Sequence, residues 1–348
     1  MGTDYAYKDI EKHLWDLIYK HQNETDYILP SEMQLVRIFK VSRNTARKAY
    51  ANLEKRNIVK RGKGRGTFIN AAALENVSLP INIGFVMVNT RTGFSNSLLD
   101  GARAYCKKNK LNILTDVSEN DLRAEARIIK NFVGVGCRGL IVMPADFETY
   151  NEELMRLALK GFPVALVDRT LPNLNLSSVS TDHYGVTYEL MRTLRADGCE
   201  RVVYFTVPNS HATSVNERNR AFERGLLDFF GAIKKDNFHF IADFSAGALE
   251  TEMAGYFRRE TPPDAILMNS GQAAAILLKT LTAAGLLNRI RLVFFDDEMP
   301  DIIDLLKISP YVVVQDAFNI GYTAAELVNK RILGETGVQK IKLQAKVT

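Results

Sequence analysis

Residues Leu29–Phe68 read LPSEMQLVRIFKVSRNTARKAYANLEKRNIVKRGKGRGTF, and this stretch decides the fold of the N-terminal region. Ser31 can cap a helix, and Gln34 three residues later completes a capping-box pattern. Ser42 can cap a further helix, which we expect to run to about Lys55. The stretch therefore predicts two helices separated by a short turn.

The second of these helices has an apolar face and a polar N-terminal end. Its apolar residues recur at three- and four-residue steps and should face inward: they are Ala46, Ala49, Tyr50 and Leu53. Its first turns should expose Arg43, Asn44, Thr45, Arg47 and Lys48. A major groove accepts one helix, and Arg or Asn side chains there read guanine or adenine edges. The pattern is typical of a helix-turn-helix whose second helix enters DNA.

Two apolar stripes should bury the other helices of this region. YKDIEKHLWDLIYKH, residues 7–21, places Ile10, Leu14, Leu17 and Ile18 on one face. In the capped helix that starts near Ser31, the buried side should consist of Leu35, Ile38 and Phe39.

A basic hairpin follows the helices. NIVKRGKGRGTFIN predicts strands over Ile58–Arg61 and Gly66–Ile69, joined by a Gly- and Lys-rich tip. Glycines let a backbone approach phosphates closely, and Lys63 and Arg65 could reach phosphate or the minor groove. The hairpin therefore has the features of a wing beside the helix-turn-helix.

Charge is concentrated in the same region. The chain of 348 residues has a net charge of +5, but residues 1–70 hold 14 Lys+Arg and 8 Asp+Glu, a net +6, and the remainder is near neutral. Such a localised excess is the electrostatic footprint of a polyanion, most often nucleic acid. A solvated helix face would explain the charges, although it would not explain the order of caps, core spacing and hairpin.

This region resembles the winged-helix domain of GntR-family transcription regulators over residues 7–69, with LPSE, VSRxT, Arg47 and the GxGTF wing in place. The resemblance implies base or phosphate contacts from the recognition helix and a wing at the minor groove. The implied DNA-binding residues are Ser31, Arg43, Asn44, Thr45, Arg47, Lys48, Arg61, Lys63, Arg65, Gly66 and Thr67. Met33 stands where some relatives carry a DNA-contacting basic residue.

Strand–helix alternation begins after residues 70–80, NAAALENVSLP, which read as a linker. Apolar segments of buried-strand type, such as INIGFVMV, GLIVMP, PVALVD, RVVYFTV and IRLVFFD, alternate with helical segments. This spacing predicts parallel α/β sheets in two similar lobes. The expected domains are therefore a winged helix-turn-helix over 1–70, a linker over 71–80 and a two-lobed domain over 81–348.

Motifs for catalysis, metal or membrane chemistry are weak or absent in the sequence. GVGCRG, residues 134–139, matches GxGxxG, but it follows a helix and precedes a strand, the reverse of the dinucleotide-binding order. Asp296 and Asp297 could form a catalytic pair, yet no base is placed near them. The three cysteines and five histidines are scattered, and no apolar run approaches the ~20 residues of a membrane span. We expect no enzyme, no cofactor, no metal and a cytoplasmic location.

Polar side chains stand instead at the ends of the predicted strands. In open α/β sheets, ligands meet the carboxyl ends of the strands. Carboxylate, amide and guanidinium groups around an aromatic face suit a polyol, although each residue alone is more often a cap or turn former. The candidates directly at strand ends are Asp168, Arg169, Asn269, Asp296 and Gln315. Two more complete the set: Arg218, which we expect to start a helix after the strand RVVYFTV, and Phe94, beyond the strand INIGFVMV.

Residues 81–334 resemble the ligand-binding module of lactose/galactose-repressor relatives and ribose-type sugar-binding proteins. PVALVDR, SVNERNRAFERGL and SPYVVVQD carry the resemblance, together with SVSTDHYGVTYELMRTLRADGCERVVYFT and LVFFDDEMP. It assigns sugar contacts to the seven candidates above. The chain departs from the family at Ser270, at Phe294 and at His183. We expect His183 to be a hinge or N-terminal helix residue.

The combination is similar to arabinose-repressor-type regulators. It implies a homodimer that reads a palindromic double-stranded operator and is released by a monosaccharide. Two alternatives stay open: a purine, phosphosugar or partner protein as the effector, and a sugar-binding protein or small-molecule enzyme with an accessory basic domain.

Overall fold

The computed structural model describes residues 3–21, 24, 27–62, 64–70, 81–146, 151–208, 210–241, 246–259, 261–269, 271–296 and 300–348. The chain divides into two compact units, Met1–Ile81 with Lys330–Thr336, and Asn82–Asn329 with Gly337–Thr348. Residues 71–80, for which we predict a linker, lie outside the described residues.

The N-terminal unit is a small helical core with a three-stranded antiparallel sheet. Its elements are α1 (Thr3–Lys20), β1 (Ile28–Leu29), α2 (Glu32–Phe39), α3 (Arg43–Lys55), β2 (Val59–Gly62) and β3 (Gly66–Ile69). The sheet order is β1-β3-β2. The two predicted helices and the wing hairpin are therefore confirmed, with β2 shifted by one residue.

Local signals in the sequence set these helix boundaries. Ser31 and Gln34 form the predicted capping box at α2, and the Ser42 side chain accepts the Thr45 backbone N–H at the start of α3. Lys40 ends α2 in the left-handed conformation with φ 53°. The caps satisfy backbone N–H groups that have no partner inside a helix, which is why helices begin at these positions.

The core of this unit follows the predicted stripes with one exception. The stripe residues of α1 and α3 are buried together, namely Ile10, Leu14, Ile18, Ala46, Ala49, Tyr50 and Leu53. Leu35 of α2 is fully buried, whereas Ile38 is 57% exposed. The prediction for Ile38 was wrong because α2 is only eight residues long and one apolar position, Leu35, together with half-buried neighbours fills its contact with the core.

The larger unit contains two six-stranded sheets, which we call the first and second lobes. The first lobe has the order β5-β4-β6-β7-β8-β14. Its strands are β4 (Asn82–Met87), β5 (Asn112–Val117), β6 (Gly139–Val142), β7 (Val164–Val167), β8 (Ser177–Thr181) and β14 (Lys340–Leu343). Its helices are α4 (Gly93–Lys108), α5 (Leu122–Gly134), α6 (Glu152–Leu159) and α12 (Ala317–Ile332).

The second lobe repeats this arrangement with the order β10-β9-β11-β12-β13-β15. Its strands are β9 (Val202–Thr206), β10 (Phe238–Phe240), β11 (Ala265–Met268), β12 (Arg291–Phe295), β13 (Tyr311–Val314) and β15 (Lys346–Val347). Its helices are α7 (His183–Ala196), α8 (Thr213–Gly225) with a π-turn over Leu226–Phe230, α9 (Ala246–Arg259), α10 (Gly271–Ala283) and α11 (Pro300–Leu306).

Both sheets are parallel, as predicted, except that β15 pairs antiparallel to β13. Gly134 ends α5 and Gly139 opens β6, so GVGCRG lies between a helix and a strand in the order that the sequence indicated. The return strands β14 and β15 were not predicted, because KIKL and KV are short and half polar.

In the described part of the chain, three connections cross between the lobes: β8 to α7, β13 to α12, and β14 to β15. The helix α12 returns to the first lobe and packs closely on α4. A Cβ added to Gly101 would lie 1.9 Å from the Phe318 carbonyl oxygen, and one added to Gly321 would lie 1.9 Å from the Leu98 carbonyl oxygen. Glycine at both positions therefore allows the two helix backbones to touch.

Candidate functional site

The winged-helix unit gathers most of its predicted DNA-binding residues around one groove. A cavity of about 610 Å³ lies between α2, α3 and the wing. Six of the predicted residues line it: Ser31, Arg43, Arg47, Arg61, Gly66 and Thr67. Gly66 has φ 111°, a value that glycine adopts without strain and that other residues rarely adopt.

One acid organises the arginines of this groove. Glu32, the first residue of α2, places its carboxylate 3.3 Å from Arg43 Nε, 3.6 Å from Arg47 Nε and 3.2 Å from Arg61 Nη1. Arg61 also donates to Glu54. Burial disfavours ionisation of Glu32, but hydrogen bonds from Arg43 and Arg61 and the charge of Arg47 outweigh it and hold its pKa below the usual value. Sequence reasoning missed Glu32, since its three partners come from two different elements.

Two residues of the recognition helix are placed differently from the prediction. Thr45 is only 9% exposed, and its hydroxyl lies 2.8 Å from Ser42 Oγ. The expectation that Thr45 is exposed was wrong, because position i+3 from the cap turns its side chain onto the cap itself. Lys48 extends away from Glu32, with Nζ 4.4 Å from the ring centroid of Tyr7 on α1.

Two further residues that we predict to bind DNA, Asn44 and Arg65, are exposed. The Arg65 backbone N–H donates to the Gly62 carbonyl at 2.9 Å and so closes the turn of the wing. Met33 is 49% exposed beside the groove. Lys63 lies outside the described residues.

In the larger unit, the carboxyl ends of the strands bring five predicted residues into one polar cluster. Asp168 follows β7 and Asp296 follows β12, strands that hold the same place in the two sheets. Both acids have positive φ, 64° and 70°, and each donates its backbone N–H to the next strand. The two lobes therefore present matching carboxylates at matching strand ends.

Arg218 is the cation of this cluster and is 6% exposed. It lies in the middle of α8, not at the helix start that the sequence suggested. Its Nη1 donates to the backbone carbonyl of Asn269 at 3.0 Å and to the Asn269 side-chain oxygen at 3.3 Å. The guanidinium carbon stands 3.9 Å from the ring centroid of Phe295, a cation–π contact. Tyr204 also donates to the Asn269 side-chain oxygen, at 2.8 Å.

Two lobe crossings are hydrogen-bonded to each other inside the cluster. Thr181, the last residue of β8, donates to Gln315 Oε1 at 2.6 Å. Gln315, which follows β13, in turn donates from Nε2 to Asp296 Oδ1 at 2.6 Å. Asp296 is therefore connected through Gln315 to Thr181, so the crossings from β8 to α7 and from β13 to α12 are joined by hydrogen bonds at this site.

The pKa values of the two matching acids are shifted in opposite directions. Burial disfavours ionisation of Asp168, but His183, Arg169 and Arg218 outweigh it and keep its pKa below the usual value. Burial raises the pKa of Asp296, with Arg218 and Gln315 opposing the rise and the charge of Asp168 adding to it. Neighbouring groups therefore shift the pKa of an aspartate in opposite directions at equivalent positions of the two lobes.

Arg169 reaches the edge of this cluster through an ion pair, with Nε 3.7 Å from Asp168 Oδ2. Arg169 Nη1 donates to Asn120 Oδ1 at 3.1 Å and to the Pro144 carbonyl at 3.0 Å, so it holds loops of the first lobe together. Phe94 is the second residue of α4 and is half-buried. Asp297 and Ser270 lie outside the described residues.

The structure adds His183 to the cluster. This residue opens α7 directly after a lobe crossing, which agrees with the hinge position expected from the sequence. It is also 1% exposed and accepts a hydrogen bond from Arg218 Nε at 3.2 Å through Nδ1. Sequence reasoning did not find this contact, because Arg218 is 35 residues away along the chain.

The lobes also contact each other beside the cluster. Asp146 of the first lobe accepts hydrogen bonds from Ser210 Oγ at 2.8 Å and from the His211 backbone N–H at 2.7 Å. The Thr170 backbone N–H donates to Thr213 Oγ1 at 2.7 Å. The two lobes therefore face each other across the polar cluster, a region that we call the cleft, and these polar contacts join its edges.

Two negative findings apply to the described residues. They include no group of three or more His, Cys, Asp or Glu side chains able to hold a metal ion. No helix among them is long and apolar enough to cross a bilayer.

A winged helix with an arginine-lined groove and a two-lobed α/β unit with a polar cleft together define a class, the two-domain transcription regulators. Comparison with known proteins identifies the family. Residues 6–69 match the gntR family of bacterial regulatory proteins, and residues 83–336 match the periplasmic binding protein domain. The chain therefore belongs to the periplasmic-binding-protein domain family and carries a GntR helix-turn-helix.

Named relatives are transcription regulators. The chain is 27% identical over 273 residues to the HTH-type transcriptional regulator KdgR of Bacillus subtilis, covering 76% of this chain and 78% of that protein. It is 23% identical over 138 residues to the arabinose metabolism transcriptional repressor of Geobacillus stearothermophilus, 40% of this chain and 38% of that one. Among solved structures, the Cra dual regulator of Pseudomonas putida with fructose 1-phosphate has a TM-score of 0.67 at 18% identity, over 77% of this chain and 97% of that one.

Proposed function

We propose that this chain is a cytoplasmic, homodimeric repressor of carbohydrate-utilisation genes, and that a monosaccharide effector releases it from a palindromic operator. We assign DNA reading to residues 1–70, a linker to 71–80 and effector binding to 81–348. The observation that carries the proposal is that one chain holds both an exposed arginine groove on a winged helix and a buried polar cluster at the strand ends of a two-lobed α/β unit.

The groove supports the DNA-binding half. Arg43 and Arg47 have side chains that are 63% and 55% exposed, on the N-terminal turns of α3. Charge-assisted contacts to Glu32 keep these side chains extended, and phosphate or a guanine edge can replace that carboxylate. Wing residues Arg65, Gly66 and Thr67, together with their sequence neighbour Lys63, would meet the adjacent backbone or minor groove, with Ser31, Asn44 and Arg61 at the margin.

The cleft supports a neutral, hydroxyl-rich effector. Within the described residues, Arg218 Nη2 makes no hydrogen bond, while Nε and Nη1 are both engaged. Asp168, Asp296, Asn269 and Gln315 add acceptors and amide donors around it. Pairs of such groups bind adjacent hydroxyls of a sugar, and we assign Phe94 to pack on its C–H surface.

An anionic effector fits this cluster less well. Arg218 is balanced by Asp168, and Arg169 Nη1 is committed to Asn120 and Pro144, so the cluster has little spare positive charge. A phosphosugar is the second candidate, because a solved structure of the same fold is a complex with fructose 1-phosphate. To bind the phosphate of such an effector, Arg169 would have to break its hydrogen bonds to Asn120 and Pro144.

Release requires that the effector prefer the state that does not bind DNA. An effector that closes the lobes would change the dimer geometry, and a coupling of about 1–3 kcal/mol is typical of such systems. Two recognition helices can engage both half-sites only when the spacing between them is about one helical turn of DNA.

The test has two steps on the purified full-length chain. A thermal-shift screen against pentoses, hexoses, phosphosugars and purines identifies the effector class, since binding to the native state raises the melting temperature. Selection from random duplex DNA then supplies a binding sequence. We expect one neutral monosaccharide to raise the melting temperature and weaken binding to the selected duplex. A phosphosugar or purine response would replace the effector class, and failure to select any sequence would refute the regulator.

A further inference from the structure

The imidazole of His183 lies between the cation and the ionised acid of the cleft. Its Nδ1 is 3.2 Å from Arg218 Nε, which must donate because a guanidinium has no acceptor. Its Nε2 faces Asp168 Oδ1 at 3.5 Å and makes no hydrogen bond of ordinary geometry among the described residues. The ring is 1% exposed, so water does not compete for either nitrogen.

This geometry leaves only one protonation state for the ring. If Nδ1 carried a proton, as in the other neutral tautomer or in the imidazolium, two N–H groups would face each other at 3.2 Å. The imidazolium would also place a second buried positive charge beside Arg218. Burial and Arg218 both lower the pKa of His183, with Asp168 opposing them, so the neutral ring is favoured. In the neutral ring with a bare Nδ1, the proton lies on Nε2 and faces Asp168.

We propose that His183 is a positioning residue of the effector site: as the neutral Nε2–H tautomer it accepts from Arg218 and donates toward Asp168, and so fixes these two side chains relative to each other across the cleft. This role rests on the proposed function of the cleft. Asp168 belongs to the first lobe, while Arg218 and His183 belong to helices of the second. The imidazole therefore joins the two lobes where a sugar would have to contact both.

The position of His183 in the chain strengthens this role. It follows Thr181 and Asp182 at a lobe crossing, and Thr181 is bonded to Gln315 of a second crossing. A rotation about these crossings would move Asp168 relative to the imidazole. The Nε2–Asp168 distance of 3.5 Å, longer than a good hydrogen bond, can shorten or lengthen as the lobes move.

The first measurement needs no effector. In the full-length protein labelled with ¹⁵N-histidine, two-bond ¹H–¹⁵N spectra distinguish the two neutral tautomers and the imidazolium, and a His183→Phe sample assigns the resonance. We expect the Nε2–H tautomer at neutral pH. The Nδ1–H tautomer or the imidazolium would overturn the proposal, whatever the effector is.

The second measurement separates the two contacts of the ring. The oxygen of His183→Asn can replace the Nδ1 acceptor toward Arg218, the amide nitrogen of His183→Gln can replace the Nε2 donor toward Asp168, and His183→Phe keeps the ring but removes both. The probe is whichever of L-arabinose, D-ribose, D-fructose and D-galactose raises the wild-type melting temperature most. We expect His183→Phe to weaken probe binding about 5- to 150-fold, the range for a buried polar group left without its partner, and Asn and Gln to weaken it less.

A matched control is His239→Phe, in the same lobe. His239 bonds Glu252 at 3.1 Å, and we place neither residue in the cleft. This variant should bind the probe as the wild type does. Probe affinity unchanged in His183→Phe, with the fold intact by circular dichroism, would refute the positioning role. If none of the four sugars binds the wild type, the wider thermal-shift screen supplies the probe or rejects the effector class, and the tautomer measurement decides the inference independently.

Discussion

The molecule contains two clusters of arginine and carboxylate that differ mainly in their contact with solvent. In the winged helix, Glu32 faces Arg43 and Arg47, whose side chains are 63% and 55% exposed. In the α/β unit, Arg218 is 6% exposed among Asp168, His183 and Asn269.

The difference indicates how each cluster can be used. An exposed ion pair contributes little to stability, so its arginines can exchange a carboxylate for phosphate at small cost. A buried charge must keep partners at all times, because leaving it unpaired is costly. The first cluster is therefore suited to a partner that comes and goes, and the second to a fixed geometry that a ligand completes.

The largest expected effect is loss of the buried cation. Arg218→Met removes the partner of Asp168, His183 and Asn269 and should destabilise the α/β unit by about 3–5 kcal/mol. Arg224→Met on the same helix α8 removes an exposed pair with Asp228 and should change little. Urea unfolding followed by circular dichroism measures both, while fluorescence of the single tryptophan, Trp15, follows the winged helix separately. Equal destabilisation by the two variants would contradict the distinction between buried and exposed arginines.

The exposed arginines should matter to DNA and not to folding. Arg43→Ala and Arg47→Ala should each weaken binding to the selected duplex by about 1–3 kcal/mol per lost base contact, with relaxed sequence preference. Lys55→Ala, at the opposite end of the same helix, is the matched control, since N-terminal residues of a recognition helix contact the bases. Fluorescence anisotropy at fixed salt checks all three. Unchanged affinity in both arginine variants would remove α3 from the interface.

The matching acids Asp168 and Asp296 should respond to pH with opposite signs. The pKa of Asp296 is raised, so its stabilising contribution is complete below the unfolded value of about 3.9 and is lost as pH rises through the folded value. The pKa of Asp168 is lowered, so its contribution is present above the unfolded value and is lost as pH falls through the folded value. Each substitution to Asn keeps a residue that tolerates positive φ.

At pH 7, Asp296→Asn should therefore raise the unfolding free energy and Asp168→Asn should lower it, each by about 1 kcal/mol, a common size for single substitutions. The Asp296 difference should shrink as the pH falls through the raised folded pKa of that carboxyl, whereas the Asp168 difference should persist to about pH 4 and shrink only below it. Urea midpoints measured from about pH 3 to pH 8 give the two curves. If both substitutions changed the unfolding free energy in the same direction, the surroundings of the two carboxylates would not shift their pKa values in opposite directions.

Local signals made much of this architecture predictable. The caps at Ser31 and Ser42 and the apolar spacing of α3 are properties of neighbouring residues, and the structure has the helices where they indicate. Strand ends were predictable for a similar reason, because a buried strand is a short apolar run. This is how Asp168, Asp296 and Gln315 could be grouped before their distances were known.

What could not be predicted depends on contacts between distant parts of the chain. Glu32 looks like an ordinary first-turn acid until three arginines converge on it. His183 looks like a helix start until Arg218 reaches it from another helix. The exposure of Ile38 is a failure of another kind, because a helical face as narrow as that of α2 does not fix which of its edge residues is covered. Thr45 is buried because its hydroxyl turns onto the Ser42 cap of α3.

The smallest expected effect tests the acid of the exposed cluster. Glu32→Gln removes the negative charge that competes with phosphate for Arg43, Arg47 and Arg61. Because the three arginines are largely exposed to water, one charge about 4 Å from them is worth about 1 kcal/mol, so affinity for a random duplex should rise about fivefold at most.

Affinity for the selected duplex should rise less than affinity for the random one, because the arginines lose the carboxylate that orients them, and the preference between the two should fall. Glu24→Gln is the matched control, since Glu24 lies in the same unit and pairs with His21 instead of an arginine. Anisotropy titrations of both duplexes at two salt concentrations measure the preference. If Glu32→Gln weakens binding to both duplexes equally, the Glu32 carboxylate itself contributes to DNA binding. If neither affinity changes, the arginines do not exchange Glu32 for phosphate, and the contrast between an exchangeable and a fixed arginine cluster fails at its exposed end.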